Sequence, residues 1–417
     1  MAASNKKTVY LHIGSPKTGT SALQYFLLQN CKVLAKKKFH YPLHEVDPNG
    51  ISSGNARPLI EAAKKDVKQA RNLILDILNT TLPNVILSSE YFYFFKDGKI
   101  ETLKELLAPA DTKVIVYLRR QDSMLMSVYH QQIKRHGRTT QMDTWFYENY
   151  TQKRYTYKQV NNWAQFFGKG NMIVRPYEKQ QFVGGTIFSD FLNLLSLQST
   201  TEYVLPKKRI NPAYRIDALE AMRLFNTLPL SHCLQSLDAI LQDYSEFHGH
   251  KGDWPYILMS PRQRIQMYHY HAQCNTEIAR DYLGRKDGRF FYDPLPNVDE
   301  PWKPYPGLSP QAVQEIAAYI DEHDKAVCRD ITDAIAQGIQ SDDKAVQLAA
   351  RTLLPGMKIF SPNAATFKGR ALSRLRGGVD MTRRIYHVLP VNMRKPITAI
   401  VKSAYRKARV LTRSEKS

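Results

Sequence analysis

Thr8-Val9-Tyr10-Leu11-His12-Ile13-Gly14-Ser15-Pro16-Lys17-Thr18-Gly19-Thr20-Ser21-Ala22-Leu23-Gln24-Tyr25-Phe26-Leu27-Leu28-Gln29 decides how the chain is read. Val9, Tyr10, Leu11 and Ile13 make a short β-prone run, and Ala22, Leu23, Phe26 and Leu27 recur at helical spacing. A strand feeding a glycine-bounded loop that opens a helix makes an anion site, because the first helical N–H groups have no partner and the dipole favours negative charge there. Gly14 and Gly19 let the backbone curl, Lys17 adds a full charge, and the Thr20 and Ser21 hydroxyls add donors. A nucleotide-triphosphate P-loop would end Gly-Lys-Ser/Thr with the hydroxyl on Mg²⁺. Here Gly19-Thr20-Ser21 stand at that end, and the lysine sits in mid-loop. That placement suits a smaller anion held without a dedicated metal ligand.

Outward from this stretch, short apolar runs alternate with helical patterns. Val85-Ile86-Leu87, Lys113–Leu118 and Asn171–Arg175 read as further strands. Ala56–Asn79 reads as one long helix, Lys99–Leu107 as a second, and Gln121 to Lys134 as a third. Strands alternating with helices predict a doubly wound parallel α/β sheet, whose ligands bind at the carboxyl ends of the strands. Ala213–Leu283 is mostly helical, Asp293–Pro310 is proline-rich, and Pro310–Leu354 is helical again.

The 417 residues are enough for two or three domains, and 43% hydrophobic with 23% charged residues places the chain among globular proteins. Four scattered cysteines (Cys31, Cys233, Cys274, Cys328), with no CxxC, argue against a disulfide scaffold and fit a reducing compartment. His269, His271 and Cys274 look metal-like, but a helix does not put all three on one face. Met1–Lys7 is polar, without the apolar region of a signal peptide, and no apolar run is long enough to span a membrane. The expectation is a cytoplasmic protein, peripheral at most at the inner face of the membrane. The net charge is +21, and residues 358–417 hold 15 Lys/Arg against 2 Asp/Glu, or +13 of it. Within that tail, residues 395–413 carry an apolar stripe beside a basic one, the pattern of a helix lying on an anionic membrane surface.

A second anchor lies at the end of the Lys113–Leu118 run, where Arg119 precedes Ser127 by eight residues. An arginine fork matches phosphate oxygens, and a serine about two helical turns on can complete the pocket. With both anchors in view, the chain resembles the sulfotransferases that use 3′-phosphoadenosine 5′-phosphosulfate (PAPS). Their 5′-phosphosulfate loop looks like Ser15-Pro16-Lys17-Thr18-Gly19-Thr20-Ser21, and their 3′-phosphate motif looks like Arg119 with Ser127. The usual Asn-Pro after the arginine is replaced by Arg120-Gln121, so two neighbouring arginines compete for one role. Tyr155–Trp163, Val174–Glu178, Asn211 and Asn275–Gly284 extend the likeness to bacterial sulfotransferases of carbohydrate type, over roughly residues 8–295.

The resemblance implies a P-loop-like doubly wound parallel sheet flanked by helices, to which the helical pattern of Pro310–Leu354 adds a helical C-terminal extension. It implies a sulfotransferase domain over 1–295 (PAPS-binding core about 7–200, helical acceptor side about 201–295); the residue pattern itself adds a proline-rich linker and helices over 296–357 and a basic tail over 358–417. PAPS would be the donor, with no metal required, and the acceptor a carbohydrate hydroxyl, lipid-linked if the tail binds membrane. Lys17 would meet the bridging oxygen of the leaving phosphate. Glu90, after the Val85-Ile86-Leu87 strand and beside Tyr91 and Phe92, is the expected general base, its apolar surroundings raising its pKa. His12, His44 and His130 are the alternatives for the base, and a late loop puts Lys251 against the 3′-phosphate with Trp254 on adenine. Two rival readings stand beside this one. A small-molecule P-loop kinase lacks its Gly-Lys-Ser/Thr ending, and a nucleic-acid-binding protein would carry its charge in the core rather than in the tail.

Overall fold

The computed structural model describes residues 6–46, 52–152, 157–206, 213–249, 258–299 and 301–357. The described residues fall into two compact units, one within 6–226 and 241–308 and the other within 227–240 and 309–357.

The first unit is built on β1 (Thr8–His12), β2 (Phe39–His40), β3 (Asn84–Ser88), β4 (Asp111–Leu118) and β5 (Met172–Pro176). These make a five-stranded sheet in the order β2-β3-β1-β4-β5, every pair parallel. β1 is therefore central, with His12 in register with Ser88 on one side and Ile115 on the other. Alternation along the strands assigns the two faces. Val9, Leu11, Val85, Leu87, Val114 and Val116 pack into one buried cluster, while Ile86, Ile115 and Tyr117 join Leu23, Phe26 and Leu27 in the other. Both faces are covered, which is why the strands read as continuous apolar runs.

The helices are α1 (Thr20–Gln29), α2 (Cys31–Lys36), α3 (Arg57–Lys65), α4 (Val67–Leu78), α5 (Asp97–Leu106), α6 (Gln121–His136), α7 (Met142–Asn149), α8 (Lys158–Phe167) and α9 (Ile187–Leu194). They continue with α10 (Ile216–Phe225), α11 (Leu234–His248), α12 (Pro261–Tyr270) and α13 (Ala272–Leu283). The second unit holds α14 (Pro310–His323), α15 (Lys325–Ile339) and α16 (Lys344–Met357). Among the described residues no helix is long and apolar enough to cross a membrane.

The long helix expected over Ala56–Asn79 is two. Asp66 is extended (φ −152°, ψ 114°), and its carboxylate accepts from the Lys68 N–H, ending α3 and capping α4. The periodicity carries through this break because both helices bury apolar residues in the same cluster. Phe39–His40 supplies an edge strand too short to show a period. The segment before α3 is pinned to the end of β3: Asn55 Nδ2 donates to the Ile86 carbonyl and Asn55 Oδ1 accepts from the Ser88 N–H, each at 2.8 Å. Gly54 is required there, since a Cβ at that position would lie 1.9 Å from the Ser88 carbonyl oxygen.

Candidate functional site: a glycine-bounded loop and a half-buried carboxyl at the strand ends

The loop between β1 and α1 leaves the sheet at its centre. The Ile13 N–H donates to the Ile115 carbonyl and the Ser89 N–H to the His12 carbonyl, so the loop departs between the ends of β3 and β4. Gly14 and Gly19 both have positive φ (50° and 71°), and Gly19 is the N-cap of α1. Lys17 also sits in the left-handed region (φ 66°), a cost of about 1–2 kcal/mol for a residue with a Cβ. Thr18 Oγ1 closes the loop on the Ser15 carbonyl at 2.6 Å. Arg119, at the end of β4, braces it from the far side by donating Nη1 to the Lys17 carbonyl at 3.0 Å.

Two buried hydroxyls in the loop are left without a hydrogen bond, Ser15 Oγ and Thr20 Oγ1. Ser15 comes near enough to the Tyr93 hydroxyl to bear on its ionisation, yet neither group makes a bond of proper geometry. Orphaned donors beside a helix N-terminus and a lysine suit an anion, whose oxygens would satisfy them. Pro16 and Ser21 complete the loop, both half-buried.

Glu90 opens a short 3₁₀ turn (Glu90–Phe94) after β3, capped by Ser89 Oγ. Gly14 lies against it: a Cβ there would be 3.4 Å from the Glu90 Cα. Glu90 and Lys17 act on each other electrostatically, but burial outweighs that attraction in both. Burial raises the Glu90 carboxyl despite Lys17, and burial lowers the Lys17 ammonium despite Glu90, with Arg119 and Arg135 pushing it down further. Of the two aromatic neighbours named from the sequence, Phe92 is fully buried, whereas Tyr91 is 41% exposed with Arg57 over its ring at 5.8 Å.

The two neighbouring arginines differ in their partners. Arg120 is buried in a bidentate pair with Asp122 (2.8 and 3.0 Å) and donates to the Asp293 carbonyl, and Arg264 from α12 reaches the same carboxylate at 3.0 Å. Burial would raise Asp122, but these two guanidiniums hold it below the usual carboxylate range. Arg119 instead remains half-buried beside the loop, its guanidinium 5.8 Å from the Tyr177 ring centre, while the Tyr157 hydroxyl bonds its carbonyl. Ser127 lies half-buried in the second turn of α6.

The three histidines have other surroundings. His12 is fully buried, its Nδ1 2.8 Å from Ser88 Oγ and its ring edge-on to Tyr117 and Phe191, and burial pushes it down to about 3. His44 Nε2 is engaged with Ser52 Oγ at 2.5 Å. His130 is buried within α6. Lys251, Trp254, Asn211 and the segment 395–413 lie outside the described residues.

Sequence reading missed Arg135 and gave no role to Tyr177, named only within the Val174–Glu178 likeness. Arg135 follows Ser127 at the i+8 spacing that keeps residues near one helical stripe, a pattern that could have marked it. Tyr177 follows β5, and a Cβ on Gly19 would meet its hydroxyl at 3.0 Å, a contact no local pattern announces.

No family model matches this sequence. A protein of Archaeoglobus fulgidus described only as an uncharacterized protein is 27% identical over 211 residues, 49% of this chain and 55% of its own length. The chain thus spans about half the length of that curated relative. Among solved structures, the sulfotransferase from Alicyclobacillus acidocaldarius is similar at 15% identity, with a TM-score of 0.30, over 58% of this chain and 97% of that one. So shallow a superposition assigns no role to any residue.

Proposed function

We propose that this chain is a sulfotransferase that moves a sulfuryl group from PAPS to an acceptor hydroxyl. The observation that carries the reading is the convergence of Lys17, Glu90 and Arg119 from the ends of β1, β3 and β4 around a loop with unsatisfied buried hydroxyls. In this reading residues 15–21 and the α1 N-terminus hold the 5′-phosphosulfate, and Arg119 with Ser127 holds the 3′-phosphate. The acceptor oxygen attacks sulfur, the bond from sulfur to the bridging oxygen breaks, and adenosine 3′,5′-bisphosphate leaves. Glu90 takes the acceptor's proton, for which a raised carboxyl is the better base near neutrality. Lys17 balances charge at the departing oxygen, where fixed electrostatics contribute most.

We take the acceptor to be a carbohydrate, lipid-linked if residues 395–413 rest on an anionic membrane, with the enzyme on its cytoplasmic side. Incubation with ³⁵S-labelled PAPS and a panel of polysaccharides and glycolipids tests this. Label is expected in a carbohydrate product of the wild type and not of Glu90→Gln. Absence of label from every acceptor, together with absence of PAPS binding, would overturn the reading.

A further inference from the structure

The second unit brings together three side chains of different donor chemistry. His232 and Cys233 come directly before α11, and Asp330 is carried by α15, 98 residues beyond His232. Their imidazole nitrogen, thiol sulfur and carboxylate oxygen all lie within 4.8 Å of one another, and among the described residues this is the one trio of His, Cys, Asp or Glu that does so. His269, His271 and Cys274 do not form such a group, and His271 Nε2 is bonded to the Tyr150 carbonyl at 2.8 Å.

His232 Nε2 stands 3.1 Å from Asp330 Oδ2. Donors bound to one tetrahedral zinc at about 2.0–2.3 Å stand about 3.3–3.8 Å apart, so this edge is already near that separation and Cys233 Sγ needs a movement of about 1 Å. The His232 and Asp330 side chains are 61% and 42% exposed, while Cys233 is buried. One side of the trio is therefore open, which gives an ion a way in and leaves room for a water as fourth ligand. The thiol now donates to the Leu230 carbonyl at 3.4 Å. A dication beside it would take that proton's place.

We propose that His232, Cys233 and Asp330 form a Zn²⁺ site that ties the start of α11 to α15. A thiolate, an imidazole and one carboxylate select zinc over magnesium or calcium, which take oxygen ligands. This inference is independent of the sulfuryl-transfer reading.

Titration of the reduced full-length protein with Co²⁺ tests it, because a thiolate ligand adds a charge-transfer band in the near ultraviolet. The band is expected at one equivalent, displaced by Zn²⁺, lost in Cys233→Ser and kept in Cys274→Ser. His232→Ala, at an exposed position that spares the packing around Cys233, is expected to weaken the metal by about tenfold or more. Absence of the band in the wild type would leave His232 and Asp330 as a hydrogen-bonded surface pair only and overturn the proposal. A band that survives Cys233→Ser or is unaffected by His232→Ala would place the metal elsewhere and overturn the proposal.

Discussion

Glu90 and Lys17 attract each other, and in each the loss of water outweighs the attraction of the other. A base must be deprotonated to act, so the acid limb of kcat/KM is expected above the ordinary carboxylate range and should disappear in Glu90→Gln. That variant is expected to bind the bisphosphate product as the wild type does and to lose turnover by roughly 10²–10⁴-fold, the usual worth of a positioned base. Stability gives the same residue a second signature. A carboxyl raised in the folded state contributes stability that is full below its unfolded pKa and lost as pH rises through its folded value. Glu90→Gln should therefore gain thermal stability relative to wild type at neutral pH and not in acid. Arg119→Ala is expected to weaken bisphosphate binding by about 10–100-fold, the worth of a charge-assisted hydrogen bond, as read by calorimetry. At this scale the loop, Glu90 and Arg119 were legible because their chemistry is local. The role of Arg120 was not, because Arg264 joins its carboxylate from 142 residues away.

α6 is held by polar bonds as well as by apolar packing. Arg264 of α12 reaches Asp122, and Gln121 pairs with Asn275 of α13 at 2.5 Å. Asp122 is the hub, and its removal would take a shared carboxylate partner from two buried guanidiniums. Asp122→Ala is expected to cost about 3–5 kcal/mol in urea unfolding, as for a broken buried ion pair. An unfolding midpoint equal to that of the wild type would contradict the assignment. The sequence pattern located most elements but merged α3 with α4. Asp66 is an N-cap residue type, and giving that signal weight over periodicity would have found the break. The pinning of Asn55 to β3 is a pairing across 31 residues and leaves no local trace.

At the scale of the whole molecule, strand and helix alternation predicted the parallel sheet, and the continuous apolar runs predicted that both faces are covered. That β1 is central, with β3 and β4 on its two sides, follows from the crossover after β3 and not from any run of residues. The grouping of 227–240 with 309–357 is likewise a matter of long-range packing. Of the net +21, the +13 in residues 358–417 belongs to a segment outside the described residues. If that segment serves an anionic membrane, deleting it should abolish flotation with anionic vesicles at low salt and leave donor affinity unchanged. Unchanged flotation would remove the membrane from the account. The donor itself is decided by calorimetric titration of the full chain with adenosine 3′,5′-bisphosphate and, separately, with ATP·Mg²⁺. Tight binding of the bisphosphate without metal is the predicted result, and a preference for ATP·Mg²⁺ would contradict the sulfuryl-transfer reading and favour a kinase.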